Sequence, residues 1–291
     1  MLNWANFLSQ LFNGLVQGAL LALISSGLTI IYGTLGVLNL AHGAMFMLGG
    51  YAGWVAFTYT GSFVVAVIAA TVFVMIVGVV MERGIIRFFY DRPAEDQILV
   101  TFGLGIVFVE AIRFLFGSQS ESIQPPPGLV GITNLGFMVY PTYRLALFGI
   151  VVVALLVLYL VLYRTRLGMI VRAGIEDSTM VDLLGINVQR VFMLVFGIGA
   201  AAAGFAGIVN TPVVSIAPDV GEPILVQTFV VGVIGGVGSF PGAIIGGLIA
   251  GEIISITSMF NPGYAYVMLF VAMTLVLVLR PYGLLGAAGR E

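Results

Sequence analysis

The single histidine of this sequence lies in Gly33-Thr-Leu-Gly-Val-Leu-Asn-Leu-Ala-His-Gly43, with Asn39 three residues ahead of it. An imidazole can pass a proton and an amide can hold a polar ligand. Inside an apolar, membrane-length stretch each needs a partner or a cavity. Two roles fit the spacing. Asn39, His42 and Gly43 could line or gate a pathway at an unwound helix start. They could equally cap or bridge neighbouring backbone, as Asn commonly does. A proton relay through His42 is disfavoured, because no chain of titratable partners surrounds it in the sequence.

Other ionisable groups fall in apolar stretches. Glu110 and Arg113 are three apart, so they can pair on one helix face. Glu252 stands alone; it is either a pathway carboxylate or a hydrogen-bond partner of an adjacent helix or subunit. The run Gly235-Gly-Val-Gly-Ser-Phe-Pro-Gly242 looks like a phosphate-binding loop but sits between apolar segments with no soluble strand before it, so nucleotide binding there is rejected. Gly235 and Gly236 suit either a broken helix beside a pathway or a tight turn, and Pro241 suits the first turn of the next helix.

The elements that position these groups are read from apolar length. A crossing helix needs about 20 apolar residues. Spans are expected near 8–31, 39–58, 62–82, 97–116, 144–163, 191–212, 223–236, 241–258 and 263–280, with 32–41 a candidate unwound stretch and eight to ten crossings in all. Gly14, Gly18, Ala22, Ser25 and Thr29 recur at three and four and predict a packing seam. Asn39, His42, Phe46, Gly49 and Gly53 repeat the same rhythm. Residues 42–50 and 241–247 share a Gly-Ala start followed by apolar residues and paired glycines, which hints at a duplicated unit.

With 60% hydrophobic and 8% charged residues, the chain cannot coat a water-facing surface of this size. It is expected to be an all-α polytopic membrane protein with one transmembrane domain over 1–291. A β-barrel would show short alternating segments. There is no Cys, one His and no Lys. Disulfides, cysteine or histidine metal sites and a Walker A loop are therefore excluded or improbable, and no nucleic-acid partner is expected. The start of the chain lacks the basic residue of a secretory signal, so the first helix is expected to be retained. Arg83, Arg87 and Arg92 share one loop; Arg164, Arg166, Arg172 and Arg190 mark another; Arg280 and Arg290 flank the last span. The loop 117–143 has none before Arg144. Positive-inside bias makes the arginine loops cytoplasmic and 117–143 external. Gln124-Pro-Pro-Pro-Gly128 then forms a stiff external connector or part of a docking surface.

In the cytoplasmic loop at about 164–190, Asp177 or Ser178 can cap a short helix. Met180, Val181, Leu183 and Leu184 give it an apolar face, and Gly185 can end it in a left-handed conformation. Three acids (Glu176, Asp177 and Asp182) argue against an anionic lipid surface and for a protein partner.

YGTLGVLNLAHGAMFMLGGY, RAGIEDSTMVDLLGINVQR, VIGGVGSFPGAIIGG and RPYGLLG, in that order, resemble LivH-type permeases, inner-membrane subunits of bacterial ATP-driven importers for branched-chain amino acids. The resemblance extends over nearly the whole chain. It implies the permease fold of that importer type, the cytoplasmic membrane, a second homologous permease subunit, two cytoplasmic ATPases and an external binding protein. No cofactor would lie in this chain; ATP and magnesium would belong to the partners. It turns Arg172, Glu176, Asp177, Asp182, Leu183, Leu184 and Gly185 into expected ATPase-coupling residues. Similar permeases serve urea, short amides or other amino acids, and these motifs do not separate the substrates.

The expected function is thus alternating access driven from the cytosol, with Asn39, His42, Gly43, Gly235, Gly236 and Glu252 as candidate pathway or gate residues. The sequence offers no fixed, paired charges for an α-amino and an α-carboxylate group, which fits a low-affinity route. A stand-alone ion-coupled transporter or channel is the alternative of another class, with Glu252 and Glu110 as its only good acidic candidates. A membrane enzyme would need a nucleophile, base or metal cluster that the composition does not supply.

Overall fold

The structure is a computed structural model that describes residues 4–136 and 138–286; Arg290 lies outside the described residues. Nine helices match the nine expected spans: α1 Trp4–Leu35, α2 His42–Thr60, α3 Phe63–Gly84, α4 Ala94–Phe116, α5 Thr142–Arg164, α8 Val188–Asn210, α9 Gly221–Gly235, α10 Phe240–Phe260 and α11 Ala265–Leu279. Between α5 and α8 lie α6 Arg166–Glu176 and α7 Ser178–Leu183. Among the described residues, seven helical stretches are long and apolar enough to cross a membrane. The others, α2 and α9, owe their place to tertiary packing: α2 is buried from His42 to Gly50, and α9 is short, with a buried inner face.

The helices sort into an inner and an outer set. Of the apolar stretch of α1, 89% is buried; of the last helix, only 11%. A helix apolar all round can sit in either place, so glycine decides. Gly18 lies against Gly247 and Leu248, where a Cβ would come within 2.8 Å of the Gly247 carbonyl. Gly247 lies against Ala22. The α1 seam predicted from Gly14, Gly18 and Ala22 is therefore a packing seam, and its partner is α10, running antiparallel. The second stripe seats α2 on α8, with Phe46 at Gly207, Gly49 at Gly204 and Gly53 at Ile208. Without a hydrophobic drive between helices in lipid, close backbone approach of this kind supplies the van der Waals contact. Outward-facing aliphatic side chains on α3, α4, α5 and α11, such as Ile68, Ile106, Val153 and Val271, stay exposed.

The all-α reading holds; the loop after α4 adds a short two-stranded antiparallel hairpin, Ile132–Asn134 with Val139–Pro141. Two expectations are corrected. Residues 166–176, expected as loop, form α6. Thr165 accepts the Gly168 N–H and starts it, and the missing Cβ of Gly168 lets it fold tightly onto the Leu162 carbonyl. Finally, α1 extends beyond 8–31 at both ends and is about 48 Å long at 1.5 Å per residue.

The arginines separate as charge bias predicts. Arg83, Arg87 and Arg190 meet around one cavity, and Arg172 lines another beside the α9–α10 turn. At this end the Glu82 carboxylate is fully buried and held by Arg87 at 3.2 Å and by the Tyr90 hydroxyl at 2.8 Å. Burial first, and the Glu82 contact second, push the Tyr90 hydroxyl well above its usual range. Arg113 and Arg144 lie at the opposite, hairpin end.

Candidate functional site

The segment joining α1 to α2 is the most unusual part of the bundle. Residues 36–41 are not helical. His42 Nε2 lies 3.0 Å from the Ile24 carbonyl, eleven residues before α1 ends, so α2 begins roughly 16 Å short of the arginine-rich end of α1. The structure places Asn39 and His42 deep within the bundle. Irregular backbone at such depth must find partners inside the protein, and here it does. Gly36 N–H bonds the Tyr32 carbonyl at 2.8 Å, Ala41 N–H the Asn39 side chain at 3.1 Å, and His42 N–H the Asn39 carbonyl at 3.2 Å. Leu40 N–H bonds Thr101 Oγ1 at 3.1 Å, and the same hydroxyl sits 3.1 Å from the Leu38 carbonyl.

Asn39 and His42 are both fully buried. Because a carbonyl only accepts, Nε2 of His42 carries the proton, and Nδ1 has no protein partner. The amide of Asn39 bridges backbone and reaches Met45 Sδ at 3.7 Å. Gly43 lies directly against Gly221, the first residue of α9. At the other end of α9, Gly235 lies against Gly242 and Gly246 of α10. Gly236 adopts a φ of +106° and closes a turn. The tail after α11 folds back onto it: Leu284 N–H and Leu285 N–H bond the Ile234 and Gly235 carbonyls, each at 2.9 Å. The geometry of Gly235 and Gly236 is thus a tight turn capped by the tail. Two motifs far apart in sequence, 233–247 and 280–286, are one structural unit.

Glu252 sits on α10 facing Gly14, where a Cβ would come 2.5 Å from its Oε2. Neither carboxylate oxygen has a protein partner. Glu110 and Arg113 do pair, at 2.6 Å, and Arg113 also binds Asp219 just before α9. That triad ties α4 to the start of α9.

The region after α5 is built on caps. Asp177 accepts the Met180 N–H at 2.9 Å and starts α7; Asp182 accepts the Val188 N–H at 3.1 Å at the start of α8. Gly185 ends the turn with φ +80°. Val181 points inward, whereas Met180, Leu183 and Leu184 are exposed, Leu183 at 78% and Leu184 at 73%. Arg172 binds the Leu162 carbonyl and stacks over Tyr163, 5.6 Å from the ring centre, so it braces α6 on α5. Glu176 is exposed. A cavity of about 180 Å³ joins this region to the bundle: Arg172 and Ile175 of α6 face Gly33, Thr34, Gly238 and Phe240.

Sequence reasoning missed two groups. Thr101 is a lone hydroxyl in an apolar run, and only the fold shows what it stitches. In the sequence Arg144 marks topology alone; the structure sets it in a cavity of about 330 Å³ among α1, α5, α8, α9 and α11. The signal was available, since it is an arginine beside an external loop otherwise free of them.

Residues 10–279 match the family described as "Branched-chain amino acid transport system / permease component". The chain is 32% identical to the high-affinity branched-chain amino acid transport system permease protein BraD of Pseudomonas aeruginosa, over 97% of this chain and 96% of that protein. It is also 32% identical to the corresponding permease protein LivH of Escherichia coli, over 96% of each. A probable branched-chain amino acid transport permease protein LivH of Methanocaldococcus jannaschii is 29% identical, over 94% of this chain and 90% of that one. Among solved structures, PsaBC from Streptococcus pneumoniae in complex with Fab is similar in fold, with a TM-score of 0.50 at 12% identity, over 91% of this chain and 90% of that chain.

Proposed function

This chain belongs to the branched-chain amino acid permease family, and from that membership we propose that it moves branched-chain amino acids inward, driven by ATPases bound at its arginine-rich end. It is a multi-pass permease subunit of an ATP-driven transport system in the cytoplasmic membrane, and its family is a transport component rather than an enzyme family. The partners are a second homologous permease subunit, two ATPases that hold ATP and magnesium, and an external binding protein.

One observation carries the coupling assignment. At a surface otherwise marked by arginine, α7 and its capping residue present Met180, Leu183 and Leu184 to solvent at helical spacing. Apolar side chains on a capped, six-residue helix bury little within the chain; a groove on a partner gives them a place to go. From α7, the path inward runs through α6 to Gly33 on α1 and Gly238 in the α9–α10 turn. A push on α7 therefore reaches the end of α1 and the α9–α10 turn together, at the arginine-rich end of the inner set. Leu183, Leu184 and Met180 make the contact. Asp177, Asp182 and Gly185 shape the helix, Arg172 braces it, and Glu176 offers a free carboxylate at the rim. Asn39, His42 and Gly43 act as the packed pivot of the broken α2 start, and Gly235 and Gly236 as the hinge of the opposite turn. Glu252 is the unpaired acid on the α1–α10 seam.

Reconstitution tests the proposal. Leucine uptake into vesicles should require this chain, its permease partner, the ATPases, ATP and the binding protein together. Uptake by this chain alone, or uptake driven by a proton or sodium gradient without ATP, contradicts it.

A further inference from the structure

Arg144 is the third residue of α5. A cation there opposes the helix dipole, whose N-terminal end already carries about half a positive charge. No acid occupies that turn, and among the described residues no carboxylate lies within ion-pair distance of Arg144. Its guanidinium donates to Asn13 Oδ1 at 2.7 Å, and the same oxygen accepts the Tyr140 hydroxyl at 2.8 Å. Asn13 donates onward to Gln10 Oε1 at 3.2 Å. The neutral Asn13 amide and the Tyr140 hydroxyl orient the guanidinium without neutralising it, and leave N–H donors for a further acceptor. Half-buried in the wall of a cavity and without a carboxylate partner, this cation favours an anion in the space beside it.

The cavity that Arg144 lines has the composition of an amino-acid site. Its volume of about 330 Å³ is at the small end of ligand pockets. Gln17, Asn210 and Gln227 give it amide acceptors, and Leu20, Leu147 and Ile224 an aliphatic wall. We propose that this cavity is a station for cargo inside the permease, in which Arg144 binds the α-carboxylate, the amide oxygens receive the ammonium group and the aliphatic wall takes the side chain. The proposal rests on the amino-acid permease reading above. It also bears on the choice of substrate, because urea and short amides have no carboxylate to satisfy the arginine.

The natural absence of cysteine makes the test direct. Val214 lines the same cavity and is 52% exposed, so V214C reports on it in the full complex in nanodiscs. Labelling by anionic sulfonatoethyl methanethiosulfonate is compared with its cationic trimethylammonium analogue. The anionic-to-cationic rate ratio should fall about tenfold when R144Q is added, and R144K should keep most of it. Millimolar leucine should slow labelling of V214C, and leucinamide, which lacks the carboxylate, should not. An unchanged ratio in R144Q overturns the proposal, as does equal protection by leucine, leucinamide and urea. The protection experiment needs no change at Arg144, so it decides even if R144Q fails to fold. Should leucine uptake prove independent of ATP while the labelling results hold, the functional reading falls and the anion site stands.

Discussion

Two helices of this permease begin with the same pattern and do so at different depths. α2 opens with His42-Gly-Ala and α10 with Phe240-Pro-Gly-Ala, and both continue into paired glycines. α10 starts at the arginine-rich surface, where Ser239 Oγ accepts the Gly242 N–H at 3.1 Å and Pro241 fills the first turn. α2 starts inside the bundle with no side-chain cap of its own, because Ala41 occupies that place. The short helix α9 spans the gap, pressed by Gly43 at one end and Gly242 at the other. Its 15 residues cover about 22 Å. The Gly-Ala pattern thus encodes close packing on α9 and says nothing about depth. What precedes it decides: a capped turn at the surface, or a stretch of bare backbone stitched by a neighbour.

Substitution should separate these two roles. The largest effect is expected from G43V and G242V, since each added side chain meets the backbone of α9. Overpacking costs about 1–3 kcal/mol where side chains can yield, and backbone yields less. Both variants should lose most folded complex in size-exclusion profiles. A normal profile for G43V alone would show that the deep start is loosely packed. Next comes T101V, which orphans the Leu40 N–H at membrane depth and should cost about 1–3 kcal/mol. Thermal unfolding should fall and uptake should drop severalfold, with Gly235–Gly242 packing unaffected. S239A removes the surface cap and should cost about 1 kcal/mol, visible as a small fall in melting temperature with uptake near normal. H42Q should change stability least, because a glutamine amide can still donate to the Ile24 carbonyl. If the deep start is a pivot, uptake or ATPase stimulation should nonetheless change; normal values for both would make His42 purely structural.

The same contrast explains what the sequence could reveal. Apolar length located the helices, including short α9, within a few residues. Small-residue periodicity found the α1 seam, and cap chemistry found α7 through Asp177 and Gly185. Depth was hidden, because hydropathy along 32–60 does not distinguish a helix that starts at the surface from one reached by a bare segment. Thr101 was hidden because its partners lie more than sixty residues away. α6 was hidden because Gly168 reads as a breaker until its close approach to the Leu162 carbonyl is seen. Arg144 was visible as a charge, but its lack of an acid is a property of the fold. The hairpin was masked by an external loop rich in turn residues.

The central claim is that force enters through the exposed leucines of α7. It is tested most directly by introducing L184R and measuring recovery of the ATPase subunits with the membrane-inserted chain. The account predicts normal insertion with ATPase recovery reduced tenfold or more, the loss of an apolar anchor worth about 2 kcal/mol compounded by a buried charge. Undiminished recovery, with ATP-driven uptake intact, would contradict it.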